Sequence, residues 1–194
     1  MRVRSAEPDD HMALTEVLAR AFDDDPVMRW VFPRERTRGR YGGAFFRWSL
    51  WRCADHGVTW TTDDLTGAAI WALPDRWQVT LPQLARLTQW TVRGVAWRAP
   101  LVIWGFSNVE RRHLRDEHLY LAVLGVEPEL QGAGVGSALL SPGLELCDRE
   151  GLAAYLETGK ERNLAFYGRH GFRTVGRLKM PYGPRLWLMR RDAR

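Results

Sequence analysis

The chain has 194 residues, of which 45% are hydrophobic, and a formal charge of 28 − 23 = +5. That apolar share supplies a sizeable core and excludes a disordered chain, while no run approaches the roughly 18 apolar residues of a membrane span. The mild basic excess favours an anionic ligand, but the basic residues are scattered, with no aromatic-interleaved patch and no helix-turn-helix pattern, so no nucleic-acid partner is expected.

The length predicts a single domain over residues 1–194. Met1 to Asp10 has no apolar leader core, which predicts a cytoplasmic protein with no membrane partner. Arg2-Val3-Arg4-Ser5 reads as a short first strand. Pro8-Asp9-Asp10 then opens a helix, because proline and acids suit a first turn. Met12, Leu14, Val17, Leu18, Ala21 and Phe22 recur at helical spacing, and Asp23-Asp24-Asp25-Pro26 stops the run. A second helix is predicted over Arg38 to Ala54. Val58 to Thr61 and Ala68 to Ala72 read as strands around a polar turn. Residues 75–115 carry several Trp and two prolines without clean alternation, and are read as a helical insertion of two or so helices. Cys53 and Cys147 each sit in an apolar, helix-like stretch without framework spacing, which predicts reduced core thiols.

The last third is more legible. Leu119 to Val126 is an apolar run of strand length, as expected of a buried central strand. A glycine-rich loop and a helix to about Glu150 follow, and Gly151 ends that helix. Pro142 lies inside it and removes one backbone bond, a kink without a catalytic role. Ala153 to Glu157 is the next strand. Thr158-Gly159-Lys160-Glu161 has the capping-box pattern of a helix start, and Gly171 closes that helix. Phe172 to Lys179 and Arg185 to Met189 read as final strands around the Pro181-Tyr182-Gly183-Pro184 turn. The alternation predicts an α/β fold with a mixed sheet.

The loop Gln131-Gly132-Ala133-Gly134-Val135-Gly136 carries chemistry. A strand feeding a Gly-rich turn into a helix aims free N–H groups at one point, where the helix dipole adds positive charge. Three glycines permit positive φ and close approach of backbone to a pyrophosphate. No Lys-Ser/Thr follows Gly136, so this is not a P-loop. The glycine spacing also fails the dinucleotide pattern.

Gln131 to Gly136 gives Q-x-x-G-x-G after Val126-Glu127-Pro128. Downstream, Arg162-Asn163-Leu164-Ala165-Phe166-Tyr167 leads to Gly171-Phe172. Together, in this order and separation, they resemble the GCN5-related N-acetyltransferase (GNAT) superfamily. The resemblance is weakest across residues 75–115. It implies a mostly antiparallel central sheet of about six to seven strands flanked by helices, with acetyl-CoA as the cofactor.

It also implies direct attack of an amine on the acetyl thioester, with site residues to match. Gln131, Gly132, Ala133, Gly134, Val135, Gly136 and Ser137 would hold the pyrophosphate. Backbone groups of Leu124 and Val126 would pair with the pantetheine amides like an added strand. Tyr167 matches the tyrosine that protonates the leaving thiolate, although a plain core aromatic is the alternative. Asn163, one turn earlier, would hold the cofactor arm, or else cap the helix. Glu157 closes an apolar strand, where a carboxylate must be paired or solvated. It would bind or deprotonate the amine, or pair with an Arg. His118, Tyr120 and water are rival bases. No metal-ligand spacing is present, so no metal is expected. The expected partner is a small-molecule amine, antibiotic-like or metabolite, acted on by a monomer or homodimer. A protein or peptide N-acetyltransferase and a non-catalytic acyl-CoA-binding module remain alternatives. Trp77, Trp90, Trp97 and Trp104 of the insertion are core by default, or line the acceptor pocket.

Overall fold

The computed structural model describes the backbone of residues 1–194, and the side chains of all but residues 55, 56, 88–93 and 96. Its elements, in chain order, are β1 (Val3–Ser5), α1 (His11–Ala21), α2 (Pro26–Val31), α3 (Glu35–His56), β2 (Gly57–Thr62), β3 (Gly67–Ala72), α4 (Leu81–Val95) and α5 (Ala99–Arg111), followed by β4 (His118–Val126), α6 (Val135–Glu150), β5 (Ala153–Thr158), α7 (Asn163–Arg169), β6 (Arg173–Lys179) and β7 (Arg185–Arg191). The seven strands form one sheet in the order β1-β2-β3-β4-β5-β7-β6. Every neighbouring pair is antiparallel except β4–β5. This is the mixed, mostly antiparallel α/β architecture that the sequence predicts.

Each face of the sheet carries its own core. One lies under α1 and α3, with Leu14, Leu18, Phe46, Leu50 and Ile70. The other lies under α6, with Trp71, Leu121, Leu139, Leu140 and Leu156. Strand β3 is buried throughout, and its alternation sends Ala68 and Ile70 to one core and Ala69 and Trp71 to the other. Small side chains there let the helices come close. A Cβ added at Gly143 on α6 would lie 2.2 Å from the Trp71 indole. Both cysteines are free and buried, and burial pushes the Cys147 thiol up to about 12.

Two boundaries differ from expectation. Asp25-Pro26 stops α1, but the same pair also starts α2. The Asp25 carboxylate accepts from the amides of Val27 and Met28 at 2.9 and 3.1 Å, with Pro26 in the first turn. The capping box at 158–161 does not form. Pairing of Thr158 with Trp187 keeps it in β5, and α7 starts only at Asn163 without a side-chain cap. The insertion does hold two helices, α4 and α5, but its tryptophans are not all core. Trp97 is 82% exposed and Trp104 52%. The Trp90 side chain lies outside the described residues.

Candidate functional site

The site begins with a gap in the sheet. β4 and β5 pair at only three positions, His118↔Ala153, Leu119↔Ala154 and Tyr120↔Tyr155. Just beyond, β4 carries an extra residue, Ala122, between the partners of Trp71 and Ile70. Such a bulge bends and twists its strand. It also re-aims the side chains that follow. Leu119 and Leu121 face the α6 core, Val123 faces the opposite core, and Leu124 and Val126 return to the α6 face. The strands part there, leaving main-chain groups of β4 open toward β5. Those groups suit the amides of an extended ligand arm. The Gln131 side-chain amide donates to the Val126 carbonyl at 3.2 Å, so that carbonyl has one lone pair already engaged.

At the far end of β4 lies the glycine loop. Gly132 and Gly134 both have positive φ, 85° and 87°, and a Cβ at either would meet nothing within 4 Å. Both face open space, as a backbone cradle for a ligand requires. Gly136 departs from expectation. It has no positive φ, because it already lies in α6, where an added Cβ would touch the Phe166 ring at 3.5 Å. Gly134 caps α6 without a side-chain bond, so the first-turn amides of Val135, Gly136 and Ser137 lack helical acceptors. The Ala133 amide is bonded to the Leu130 carbonyl at 3.3 Å, which leaves it less available. The Ser137 hydroxyl contacts His170 Nε2 at 2.9 Å, so its amide rather than its side chain points to the cradle. Free amides at a helix N-terminus fit the pyrophosphate of coenzyme A.

α7 supplies the next pair. Asn163 is its first residue; its side chain makes one long contact among the described residues, from Nδ2 to Thr158 Oγ1 at 3.5 Å, while its amide donates to the Lys160 carbonyl at 3.0 Å. Tyr167, one turn on, is buried against Phe166 and Phe172 in the α6 core. Its hydroxyl makes no hydrogen bond among the described residues. Burial, helped by the Asp25 charge, raises the phenol above its ordinary range, so it stays protonated at neutral pH. The loop before α7 is tied to the α1–α2 turn by Lys160 and Arg162, both paired with Asp24.

Glu157 lies on the other face of β5. Its neighbour Leu156 points into the α6 core, so Glu157 shares the face of Tyr155. The Tyr120 hydroxyl donates to Glu157 Oε2 at 2.7 Å. His113 Nδ1 meets Oε1 at 3.1 Å. His113 Nε2 in turn lies 2.9 Å from His118 Nε2, and His118 Nδ1 donates to the Asp116 carbonyl at 2.6 Å. The expected Arg partner of Glu157 is therefore a histidine. Glu157, His118 and Tyr120, rivals in the sequence, belong to one network. His113, which joins them, was not expected. It follows α5 in a charged stretch with no periodic signal, and its proximity in sequence to His118 is the one hint. Burial lowers His118 below the ordinary histidine value. Burial, with the Glu157 charge, raises Tyr120 well above the usual phenol. Tyr155 is raised likewise, by burial and by the nearby Glu157 carboxylate, and its buried hydroxyl makes no hydrogen bond of good geometry among the described residues. Among the described residues, no group of three or more His, Cys, Asp or Glu side chains is placed to hold a metal ion.

Beside His113 opens a cavity of about 750 Å³, lined by Asp75, Trp77, Trp104, Glu110, His113 and Arg115 among others. All belong to the 75–115 insertion. The described residues thus include a loop with free amides, a stretch of β4 without a partner toward β5, a buried phenol and a buried carboxylate network.

Residues 101–172 match the model of the acetyltransferase (GNAT) family. Over 183 residues the chain is 26% identical to an uncharacterized N-acetyltransferase of Schizosaccharomyces pombe, covering 89% of this chain and 74% of that protein. Its structure is similar to that of the histone acetyltransferase HPA2 and related acetyltransferase from Corynebacterium glutamicum. That likeness has a TM-score of 0.74 at 25% identity and covers 99% of this chain and 96% of the other. The fold also matches arylalkylamine N-acetyltransferase 2 from Aedes aegypti, with a TM-score of 0.67 at 14% identity, over 100% and 99% of the two chains. Among the described residues no helix is long and apolar enough to cross a membrane.

Proposed function

We propose that the chain is an acetyl-CoA-dependent acetyltransferase of the GNAT superfamily, the class that the family match and the relatives support, and that it acetylates a primary amine of a small molecule, antibiotic-like or metabolite. The observation that supports this reading is that Tyr167 lies in the α6 core and Glu157 on the opposite face of β5, the strand whose pairing with β4 stops after Tyr120↔Tyr155.

Bound acetyl-CoA supplies an activated acyl thioester. The amides of Gly132, Gly134, Val135, Gly136 and Ser137 hold its pyrophosphate, with Gln131 and Ala133 shaping the loop. The open edge of β4 at Leu124 and Val126 orients the arm, and Asn163 holds it at the head of α7. Glu157 accepts a proton from the acceptor ammonium, which frees the lone pair for attack. Tyr167 gives its proton to the departing thiolate.

Two features favour a small acceptor. The cavity of about 750 Å³ under the insertion falls in the range of small-molecule pockets. Several segments also resemble puromycin N-acetyltransferase: Leu156-Glu157-Thr158, Arg162-Asn163-Leu164, Phe166-Tyr167, Gly134 to Glu145 with its Pro142, Ala21-Phe22 with Asp25-Pro26, and Gly183-Pro184-Arg185. The resemblance is weakest over the insertion, which lines the cavity, so it does not carry the drug across. A role in antibiotic resistance is part of the proposal. The likeness to a protein named as a histone acetyltransferase supports a second reading, a protein or peptide acceptor.

Thiol release from acetyl-CoA, measured against a panel of puromycin, aminoglycosides, simple amines and peptides, tests the assignment. Turnover confined to small amines is the expected result. Turnover of peptides alone moves the acceptor to the second reading, and none at all removes the catalytic reading.

A further inference from the structure

The hydrogen bonds around Glu157 can be counted. The Asp116 carbonyl only accepts, so His118 carries a hydrogen on Nδ1. The contact between His118 Nε2 and His113 Nε2 needs a second hydrogen, and the contact between His113 Nδ1 and Glu157 Oε1 needs a third. Tyr120 supplies its own to Oε2. A carboxylate with two neutral imidazoles carries only two hydrogens on the trio. The fully bonded trio therefore holds one extra proton and has no net charge. That proton can rest on any of the three without a ring turning, because each position differs only by shifts within contacts already made.

We propose that Glu157, His113 and His118 act as a single proton store, whose proton-deficient form is the base for the acceptor amine. This rests on the acetyltransferase reading above. Without its extra proton the trio lacks one hydrogen bond. Taking a proton from R–NH3+ at Glu157 restores that bond, so completing the chain draws the proton in. The freed lone pair then forms the C–N bond while the C–S bond breaks. Tyr167 protonates the leaving sulfur and recovers its proton from the newly acylated nitrogen. The overall reaction releases one proton, and the trio holds it. It is lost from Glu157 to water that takes the acceptor's place once the product has left. Glu157 is the catalytic residue here, whereas His113 and His118 are positioning residues that act through it.

The surroundings suit a store of no net charge. Tyr120 and Tyr155 face it from β4 and β5. Arg52 of α3 turns its guanidinium to the Trp77 carbonyl at 2.9 Å. Arg190 of β7 is held by Asp116 and Asp192. Asp75, Glu110, Arg111 and Arg115 line the cavity. Among the described residues, the one ion-pair partner of Glu157 is His113. A fixed Arg partner would lock the carboxylate in its charged form, whereas a histidine can hand a proton on.

The test uses nitrogen NMR of the imidazole rings in the ligand-free chain, titrated through roughly the pH 5 to 8 span where histidine changes charge and beyond. His113 and His118 are expected to report one shared transition, and Glu157→Gln to abolish the sharing. In parallel, kcat/KM is measured against pH with acetyl-CoA and the best amine of the panel. The parent is expected to gain activity as the store loses its proton. His113→Gln should lose that rise and fall by about 10²-fold, the lower end for general-base assistance. Should His113→Gln fail to fold, His118→Gln is read in the same way. Separate transitions for the two rings, with acetyl transfer intact and the pH profile unchanged in the variant, overturn the store alone. A shared transition in a chain that acetylates no amine supports the shared proton and overturns the acetyltransferase reading instead.

Discussion

The indole of Trp77 lies flat on the His113 imidazole, with ring centroids 3.7 Å apart and planes 20° from parallel. Trp77 comes from the turn after β3, where Asp75 adopts a left-handed φ of 59°. His113 comes from the chain just after α5. The stack therefore joins the two ends of the insertion and clamps the ring that reaches Glu157. Trp77→Leu is expected to lower kcat/KM while leaving acetyl-CoA affinity unchanged. In a His113→Gln background the same substitution should have little further effect on activity. A thermal-unfolding cycle of the two substitutions should give a coupling of about 0.5–1.5 kcal/mol, the range for aromatic pairs. Additive losses would mean that the stack does not act through His113.

Gly134 has a φ of 87° immediately before α6. A side chain there meets no protein atom, but it disfavours the left-handed backbone by about 1–2 kcal/mol. Gly134→Val should turn the loop amides away from the cradle and place its methyl groups where a phosphate approaches. Calorimetry on the folded variant is expected to show at least about a tenfold loss in acetyl-CoA affinity, equivalent to about 1.4 kcal/mol. Unchanged affinity would remove the loop from the cofactor site.

The Tyr167 hydroxyl has no protein partner among the described residues, so Tyr167→Phe should leave thermal stability nearly unchanged. If the phenol protonates the leaving sulfur, kcat should fall by about 10²–10⁴-fold with cofactor affinity kept. A kcat within about threefold of the parent, well short of that loss, would assign the proton to water or another group.

Acid stability has a definite source. Asp148 at the end of α6 accepts two bonds from Arg191 of β7, at 2.8 and 2.7 Å, and one from the Arg194 amide at 2.9 Å. The Arg191 bonds, chiefly, hold the Asp148 carboxyl below its ordinary value. A depressed carboxylate stabilises the fold fully above its unfolded value of about 3.9, and loses that contribution as pH falls through the lower folded value. The parent should therefore lose stability below about pH 4, where Asp148 of the unfolded chain begins to take up a proton that the folded chain does not yet bind. Asp148→Asn, which leaves the nearly buried Arg191 uncompensated, should cost about 1–3 kcal/mol at neutral pH and show a shallower acid decline. Parallel acid curves for the two proteins would place the acid-sensitive group elsewhere, with Asp10 under Arg4 the next to examine.

Local signals account for what the sequence shows. An apolar run, a glycine loop and a helix in direct succession specify β4, the cradle and α6, because each depends on near neighbours in the chain. Asn163 and Tyr167 share a helix face by spacing alone. What was missed is tertiary. His113 lies in a stretch without periodicity, and its role arises only where the end of α5 crosses β4 and β5. The same crossing gives Glu157 a histidine partner in place of an arginine. α2 was missed because its six residues are too few for a periodic pattern, and because Asp25-Pro26 reads equally well as a stop. The capping box failed because strand pairing claimed Thr158 first.

The short pairing of β4 with β5 has a mechanical side. Strands β1 to β4 form one hydrogen-bonded ribbon and β5 to β7 another, and three residue pairs at one end join them. The sheet is thus hinged like a book along that seam, with α6 packed on both covers. A ligand arm laid along the open edge of β4 would serve as a binding thread between the ribbons. Amide exchange in β4 and β5 should slow on adding acetyl-CoA, while exchange at the outer β1–β2 and β6–β7 pairs stays as it was. On this geometry, loading the cofactor also completes the middle of the sheet, and the empty protein is the looser of the two.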